Sequence, residues 1–247
     1  MPPETHSGLA RQAAPSHPPL LPSDWDGVRL VAFDVDGTLY RQRPLRLRMA
    51  LDVLLHAARS RNGQVIATLR AYRRIRERLG EEEREDFDPV LIAETAAVAG
   101  LPADRVREIA TEWMETRPLR HLAACRYPGL TELFEGLRRR GKTIGVLSDY
   151  PARDKLEVLG LFADHVFSAV DDGVRMLKPH PRGLEVLMKA AGATPDTTVL
   201  IGDRMERDGL MAARAGARAL LRSDKPIPNW QTFRRYDDPI FHPVLKR

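Results

Sequence analysis

At 247 residues the chain is long enough for one large domain, or for a medium domain carrying an insertion, around a substantial core. A single cysteine, Cys125, excludes an intrachain disulfide, fits a reducing compartment and reads as core filler. A formal charge of +5 is modest for a nucleic-acid binder and comes with no interleaved aromatic or RNA-binding motif, so nucleic acid is not an expected partner.

Residues 1 to 24 hold six prolines and no periodic apolar pattern, so residues 1–26 are expected to form a disordered tail. They contain no apolar run of a signal peptide, and no later stretch approaches a membrane span, which predicts a cytoplasmic protein without a membrane partner. From Val28 the run "VRLVAF" reads as a buried parallel strand that stops at Asp34, Asp36 and Gly37. Between Leu45 and Trp113 the apolar residues recur at three and four, as in Val65, Leu69, Tyr72, Ile75 and Leu79. That pattern predicts about four helices in an inserted all-helical block over residues 44–120.

After Pro128 and Gly129, helices alternate with strands: "LTELFEGLRRR", "TIGVLS", "DKLEVLGL", "HVFS", "RGLEVLMKAAG", "TVLIGD", "LMAARAG" and "ARALL". Such βαβ alternation predicts an α/β core, residues 27–43 and 121–222, with a parallel sheet and helices on both faces. Residues 223–247 read as an irregular C-terminal extension. The run "GLRRRGKT", residues 136 to 143, matches a P-loop pattern, but a helical pattern precedes it and a strand pattern follows. A P-loop requires the reverse order, so Gly141 is expected to end a helix instead.

The residues with chemistry follow the strands: Asp34 and Asp36 after the first, Ser148 at the end of "TIGVLS", Lys178 after "HVFS", and Asp203 after "TVLIG". A parallel sheet gathers such positions along one edge. Residues i and i+2 of an extended strand point the same way, so the two carboxylates can face one small volume. One carboxylate can attack phosphorus and form an aspartyl-phosphate. A second can protonate the leaving oxygen and then deprotonate water. Asp203 offers a ligand for a hard cation, Lys178 a fixed positive charge and Ser148 a hydroxyl donor.

The order "DVDGT", Ser148 after a strand, "LKPHP" with Lys178, and "GDRMERD" with Asp203 and Asp208 resembles the four motifs of the haloacid dehalogenase superfamily of phosphatases. The resemblance covers roughly residues 28 to 222 and implies a Rossmann-like doubly wound sheet with a helical cap inserted between the first two motifs. It implies Asp34 as nucleophile and Asp36 as general acid and base. It further implies Mg²⁺ held by the Asp34 carboxylate, the Asp36 backbone carbonyl and Asp203, with Asp208 as a further ligand or water-holding group. Ser148 and Lys178 would bind phosphoryl oxygens, and Thr38 is also expected at the substrate. Many relatives carry Asn where Asp149 stands; its side chain is expected to turn away from the phosphate.

The function expected is a Mg²⁺-dependent phosphatase acting on a small phosphorylated metabolite, as a monomer or homodimer. The alternatives are a phosphomutase or phosphotransferase on the same scaffold and a non-catalytic scaffold protein. A dehalogenase is disfavoured because that branch typically replaces the second aspartate, which Asp36 retains. Residues 41 to 78 hold eleven arginines, no lysine and only two acids, Asp52 and Glu77. The run reads either as a compositional habit on a solvated helix face or as substrate recognition, in which case Arg41 and Arg43, directly after the first motif, are the ones expected to face substrate, whereas Arg73 and Arg76 are expected to matter little.

Overall fold

The computed structural model describes residues 18–61 and 63–246. Strand β1 (Leu30–Phe33) is buried at every position, as an apolar run without alternation must be when both faces of its sheet are covered. It lies inside a six-stranded sheet with β2 (Thr143–Ser148), β3 (His165–Ser168), β4 (Thr198–Gly202), β5 (Arg218–Arg222) and β6 (Thr232–Phe233). All pairings are parallel and the order is β3-β2-β1-β4-β5-β6. Phe33 is in register with Val146 on one side and Ile201 on the other, so three strands end at one level. The strand order reverses at β1, and a crevice opens at the carboxyl ends beside such a reversal.

Between β1 and β2 the chain forms α1 (Gln42–Ser60), α2 (Gln64–Glu81) and α3 (Phe87–Ala99). Next comes α4 (Ala103–Ala110), which runs through one wider-wound stretch, Thr111–Thr116, into α5 (Arg117–Leu122). Tyr72, Ile75 and Leu79 of α2 pack with Leu91 and Val106 in a core of their own that also takes in Leu177 from the sheet edge. Leu45, Met49, Leu69 and Trp113 join the core beneath the sheet instead, which ties this block to the body of the protein. The last turns of α2 and the acid-rich link after it add charge: Glu77 meets Arg204 at 2.8 Å and Arg207 at 3.0 Å, Glu85 meets Arg182 at 2.6 Å, and Asp86 meets Arg175 at 3.2 Å.

The rest of the core alternates helix and strand: α6 (Leu130–Arg139), α7 (Arg153–Leu159), α8 (Arg182–Ala190), α9 (Leu210–Arg214) and, at the far end, α10 (His242–Leu245). Successive strand residues feed opposite faces. Val31 and Phe33 pack with Leu133, Phe134 and Leu137 of α6, while Leu30 and Ala32 pack with Leu184 and Leu187 of α8 and Met211 of α9. This is a Rossmann-like α/β core with a helical insertion. The P-loop look-alike ends α6: Gly141, at φ 65°, turns the chain into β2.

Both chain ends differ from the sequence expectation. Residues 1–17 of the expected tail lie outside the described residues, but within residues 18–26 the chain is packed, with Leu20 and Trp25 buried. Trp25 Nε1 donates to the Ile240 carbonyl at 2.6 Å, and the Gln231 side chain exchanges two hydrogen bonds with the Leu20 backbone, at 2.6 and 2.9 Å. Residues 223–246 are irregular over most of their length, as expected, but packed: β6 extends the sheet, and Phe233, Tyr236, Phe241 and Val244 are buried. Their aromatic rings pack edge to face, Phe233 on Tyr236 at 5.2 Å and on Phe241 at 5.0 Å. These partners are distant in sequence, so no local period announces them.

Candidate active site

Asp34 is the first residue beyond β1, and the turn after it depends on Gly37. Gly37 has φ 101°, a conformation L side chains avoid, and a Cβ there would overlap the Asp203 carboxylate. The glycine thus lets the ends of β1 and β4 close on each other. Lys178 Nζ donates to Asp34 Oδ1 at 2.6 Å and to Asp208 Oδ1 at 2.7 Å, all three groups buried. Thr38 Oγ1 donates to Asp34 Oδ2 at 2.8 Å. Asp208 Oδ2 accepts from the backbone amides of Asp203 and Arg204, at 3.1 and 3.0 Å.

The electrostatics follow from this crowding. Burial, with Asp208 and Asp36 nearby, pushes the Asp34 carboxyl up to about 7 against the pull of Lys178. Burial and the Asp34 charge push Asp203 up to about 8. Burial alone would drive Lys178 down, but Asp208 and Asp34 overcome it and hold the ammonium well above its ordinary range. Asp36 goes the other way: burial would raise it, and Lys155 and Tyr40 outweigh that and keep it below the ordinary carboxylate value. Lys155 Nζ donates to Asp36 Oδ1 at 2.8 Å, and the Tyr40 hydroxyl donates to the same oxygen. The Asp36 backbone carbonyl accepts from Gln42 Nε2 at 2.5 Å.

Above these groups is a cavity of about 690 Å³ between the sheet edge and the helical block. Asp34, Asp36, Lys178, Asp203 and Asp208 all line it. Ser148 does not: it is buried beneath, and its hydroxyl accepts from the Tyr150 amide at 3.2 Å. Thr38, also expected at substrate, is fully buried with its hydroxyl spent on Asp34, so it orients that carboxylate instead. Asp149 turns its carboxylate to the Lys178 amide at 3.2 Å, while its carbonyl accepts from Arg76.

The arginine expectation is reversed. Arg41 precedes α1 and Arg43 lies on its outer side, both exposed and outside the cavity lining. The face of α1 that lines the cavity starts at Gln42 and repeats through Leu45, Arg46, Met49 and Val53 at helical spacing. On α2 the lining arginines are Arg70, Arg73 and Arg76. A run of arginines carries no phase until the helix start is known, which is why proximity to the first motif misled. Lys155, Tyr40, Gln42 and Arg207 were missed as well, since none belongs to a motif. The apolar spacing of α7, with Leu156 and Leu159 inward, was the only signal that could have turned Lys155 inward too.

The donor set fits a hard divalent cation. Carboxylate oxygens of Asp34, Asp203 and Asp208 lie within 4.8 Å of one another, and Asp203 Oδ1 is buried without a hydrogen-bond partner among the described residues. Both oxygens of Asp34 and both of Asp208 already accept hydrogen bonds, so Asp203 Oδ1 is the ligand atom left open, a cation would use a remaining lone pair of Asp34, and Asp208, with Oδ2 on two backbone amides, anchors Lys178 and the turn after Asp203.

A turn carrying two carboxylates after the first strand, a buried lysine from the third unit and an acid pair after the fourth define a hydrolase of the haloacid dehalogenase type. Residues 28–216 match the model of the haloacid dehalogenase-like hydrolases, and the chain belongs to that family. It is 27% identical over 202 residues to a glyceraldehyde 3-phosphate phosphatase of Methanothermobacter thermautotrophicus, covering 78% of this chain and 85% of that one. It is 28% identical over 198 residues to phosphoglycolate phosphatase 1 of Pseudomonas aeruginosa, covering 76% of this chain and 66% of that one. The fold is similar to that of the putative HAD-hydrolase YfnB from Bacillus subtilis bound to magnesium, with a TM-score of 0.62 at 17% identity over 89% of this chain and 99% of that one. It is also similar to a 2-haloacid dehalogenase from Pseudomonas syringae, with a TM-score of 0.59 at 20% identity over 85% of this chain and 95% of that one.

Proposed function

We propose that the chain is a Mg²⁺-dependent phosphomonoesterase that hydrolyses a small phosphorylated metabolite through an aspartyl-phosphate on Asp34. The observation that carries this reading is the buried bridge from Lys178 to Asp34 and Asp208, set beside the unpartnered oxygen of Asp203 at the floor of a cavity. That arrangement offers a nucleophile, a fixed positive charge and a cation seat within one hydrogen-bonded cluster. The phosphatase names of the curated relatives support the same reading.

In the first step an Asp34 oxygen attacks phosphorus, the bond to the ester oxygen breaks, and Asp36 gives its proton to the departing alkoxide. In the second step Asp36 takes a proton from water, the water oxygen bonds to phosphorus, and the Asp34 carboxylate leaves. Asp36 starts ionised against Lys155; an incoming phosphoryl anion raises its proton affinity by like-charge repulsion, so that it takes up a proton from solvent or from the substrate monoanion before giving it to the leaving oxygen in the first step. Lys178 keeps its charge throughout and screens the phosphoryl group from Asp34 and Asp208. Asp34, Asp203 and the second lone pair of the Asp36 carbonyl would hold the cation, which when bound neutralises phosphoryl charge. Thr38 fixes the rotamer of the attacking carboxylate.

The test is phosphate release from an aryl and an alkyl monoester with Mg²⁺ and with excess chelator. Hydrolysis that chelation silences reversibly and that Asp34→Asn abolishes in a folded protein is the expected result. Equal activity in chelator, or near wild-type turnover by Asp34→Asn, contradicts the mechanism. Turnover that needs a sugar bisphosphate primer would point to phosphoryl transfer between hydroxyls.

A further inference from the structure

The cavity is not uniform along its length. At its floor five basic groups are committed: Lys178 to Asp34 and Asp208, Lys155 to Asp36, Arg76 to the Asp149 carbonyl, Arg204 to Glu77 and Glu206, and Arg207 to Glu77 and the Lys178 carbonyl. Arg46 of α1 lines the cavity near Tyr40 and forms no hydrogen bond or ion pair among the described residues. Further out on α2, Arg70 and Arg73 also line the cavity, are exposed, and form no hydrogen bond or ion pair among the described residues. The acids that line the cavity beyond the catalytic group are Glu77 and Asp149, and both are engaged elsewhere. The outer half therefore presents uncompensated positive charge.

Position along α2 gives a scale. The end near Glu77 is held to the core, and the helix rises about 1.5 Å per residue, which puts Arg73 roughly 4.5 Å and Arg70 roughly 9 Å further out than Arg76. Helical side chains also lean toward the N-terminus, which on α2 is outward. The cavity is also lined by an apolar wall of Met49, Val53 and Leu54 from α1 with Trp113, of which Leu54 is 59% exposed. Water covers such a surface at a cost that an apolar ligand removes.

Building on the phosphatase reading above, we infer that the substrate is a phosphomonoester whose organic part is an extended apolar body ending in a second anionic group. The ester phosphate sits on the floor, the body lies on the wall from α1 and Trp113, and the second anion pairs with Arg70 and Arg73. Paired guanidinium donors suit a carboxylate or phosphate there. A two-carbon phosphate acid leaves most of a cavity of about 690 Å³ unfilled.

Calorimetric binding of three stable phosphonates, with Mg²⁺ present, tests this without turnover: benzylphosphonate, 4-carboxybenzylphosphonate and phosphonoacetate. The carboxybenzyl probe should bind about tenfold or more tightly than benzylphosphonate, the size expected for a charged hydrogen-bonded contact. It should also outbind phosphonoacetate, which has both anions and no apolar body. Arg70→Gln combined with Arg73→Gln should erase most of the carboxylate advantage, whereas Arg74→Gln, exposed on the same helix outside the cavity, should retain it. Equal affinity of the two benzyl probes, phosphonoacetate binding as tightly as the carboxybenzyl probe, or no binding by any of them overturns the inference. Phosphate release from phenyl phosphate is scored separately. Release without the binding preference defeats this inference and leaves the phosphatase reading standing; the preference without release does the opposite.

Discussion

Asp34 and Asp203 carry protons in the metal-free protein that the unfolded chain would have lost. Their carboxyls sit at about 7 and about 8, whereas free side chains of this type titrate near 3.8. The folded state thus binds more protons than the unfolded state between about pH 4 and 8, and stability falls as pH rises through that window. Asp36, held below 3.8, contributes oppositely: its stabilisation is present above that value and is lost as pH drops below it. A cation competes with the same protons, so the thermal shift on adding Mg²⁺ should be larger at pH 8 than at pH 6, by scanning calorimetry with and without chelator. Lys155 makes a second residue-scale case. Lys155→Met leaves Asp36 charged and poorly solvated, and should cost about 2 to 3 kcal/mol in chemical denaturation, less than a fully buried pair because the Asp36 side chain is 23% exposed. Adding Asp36→Asn should recover part of that loss, since the stranded charge is gone.

At the scale of elements, the strands that end in chemistry were legible because a buried parallel strand is an unbroken apolar run and its stop is a polar residue. β2 begins and ends where "TIGVLS" does, and the helix starting at Leu130 is present as read. The arginines of α1 and α2 were not legible in the same way, since exposed helix faces and cavity faces use the same residue. β6 was missed because two residues paired at an edge carry no period. Gly80, inside α2, shows tertiary context overriding propensity. Glycine there is about 1 kcal/mol worse than alanine for an isolated helix. However, a Cβ at this position would overlap the Arg207 guanidinium, which is buried and donates to the Lys178 carbonyl and to Glu77. Gly80→Ala should therefore lower the melting temperature and raise KM for phosphate monoesters, because the loop presenting Lys178 loses its brace. An unchanged KM together with a raised melting temperature would mean that Arg207 moves aside freely.

The whole molecule is held across its two halves by unlike means. An apolar core runs from the sheet into α1, α2 and Trp113, whereas the end of α2 and the acid-rich link after it meet the core through Arg204, Arg182 and Arg175 at the surface. Exposed pairs contribute about 0 to 1 kcal/mol each and are screened when the Debye length drops to about 3 Å near 1 M salt. Raising salt should thus enlarge the radius of gyration in small-angle scattering without unfolding the core, and the change should vanish in a variant whose α2 end is disulfide-linked to the core. The far end of the described chain adds a different constraint. Tyr236 donates its hydroxyl to the carbonyl of Thr38 at 2.7 Å, a contact across 198 positions that reaches the turn carrying Asp34 and Asp36. During synthesis the ribosome delivers Thr38 long before Tyr236 exists, and closing so long a loop is slow relative to forming local helices. The nascent chain can assemble its helical block early, yet the turn after β1 stays unbraced until the aromatic cluster has emerged, so the floor of the cavity is completed late in translation.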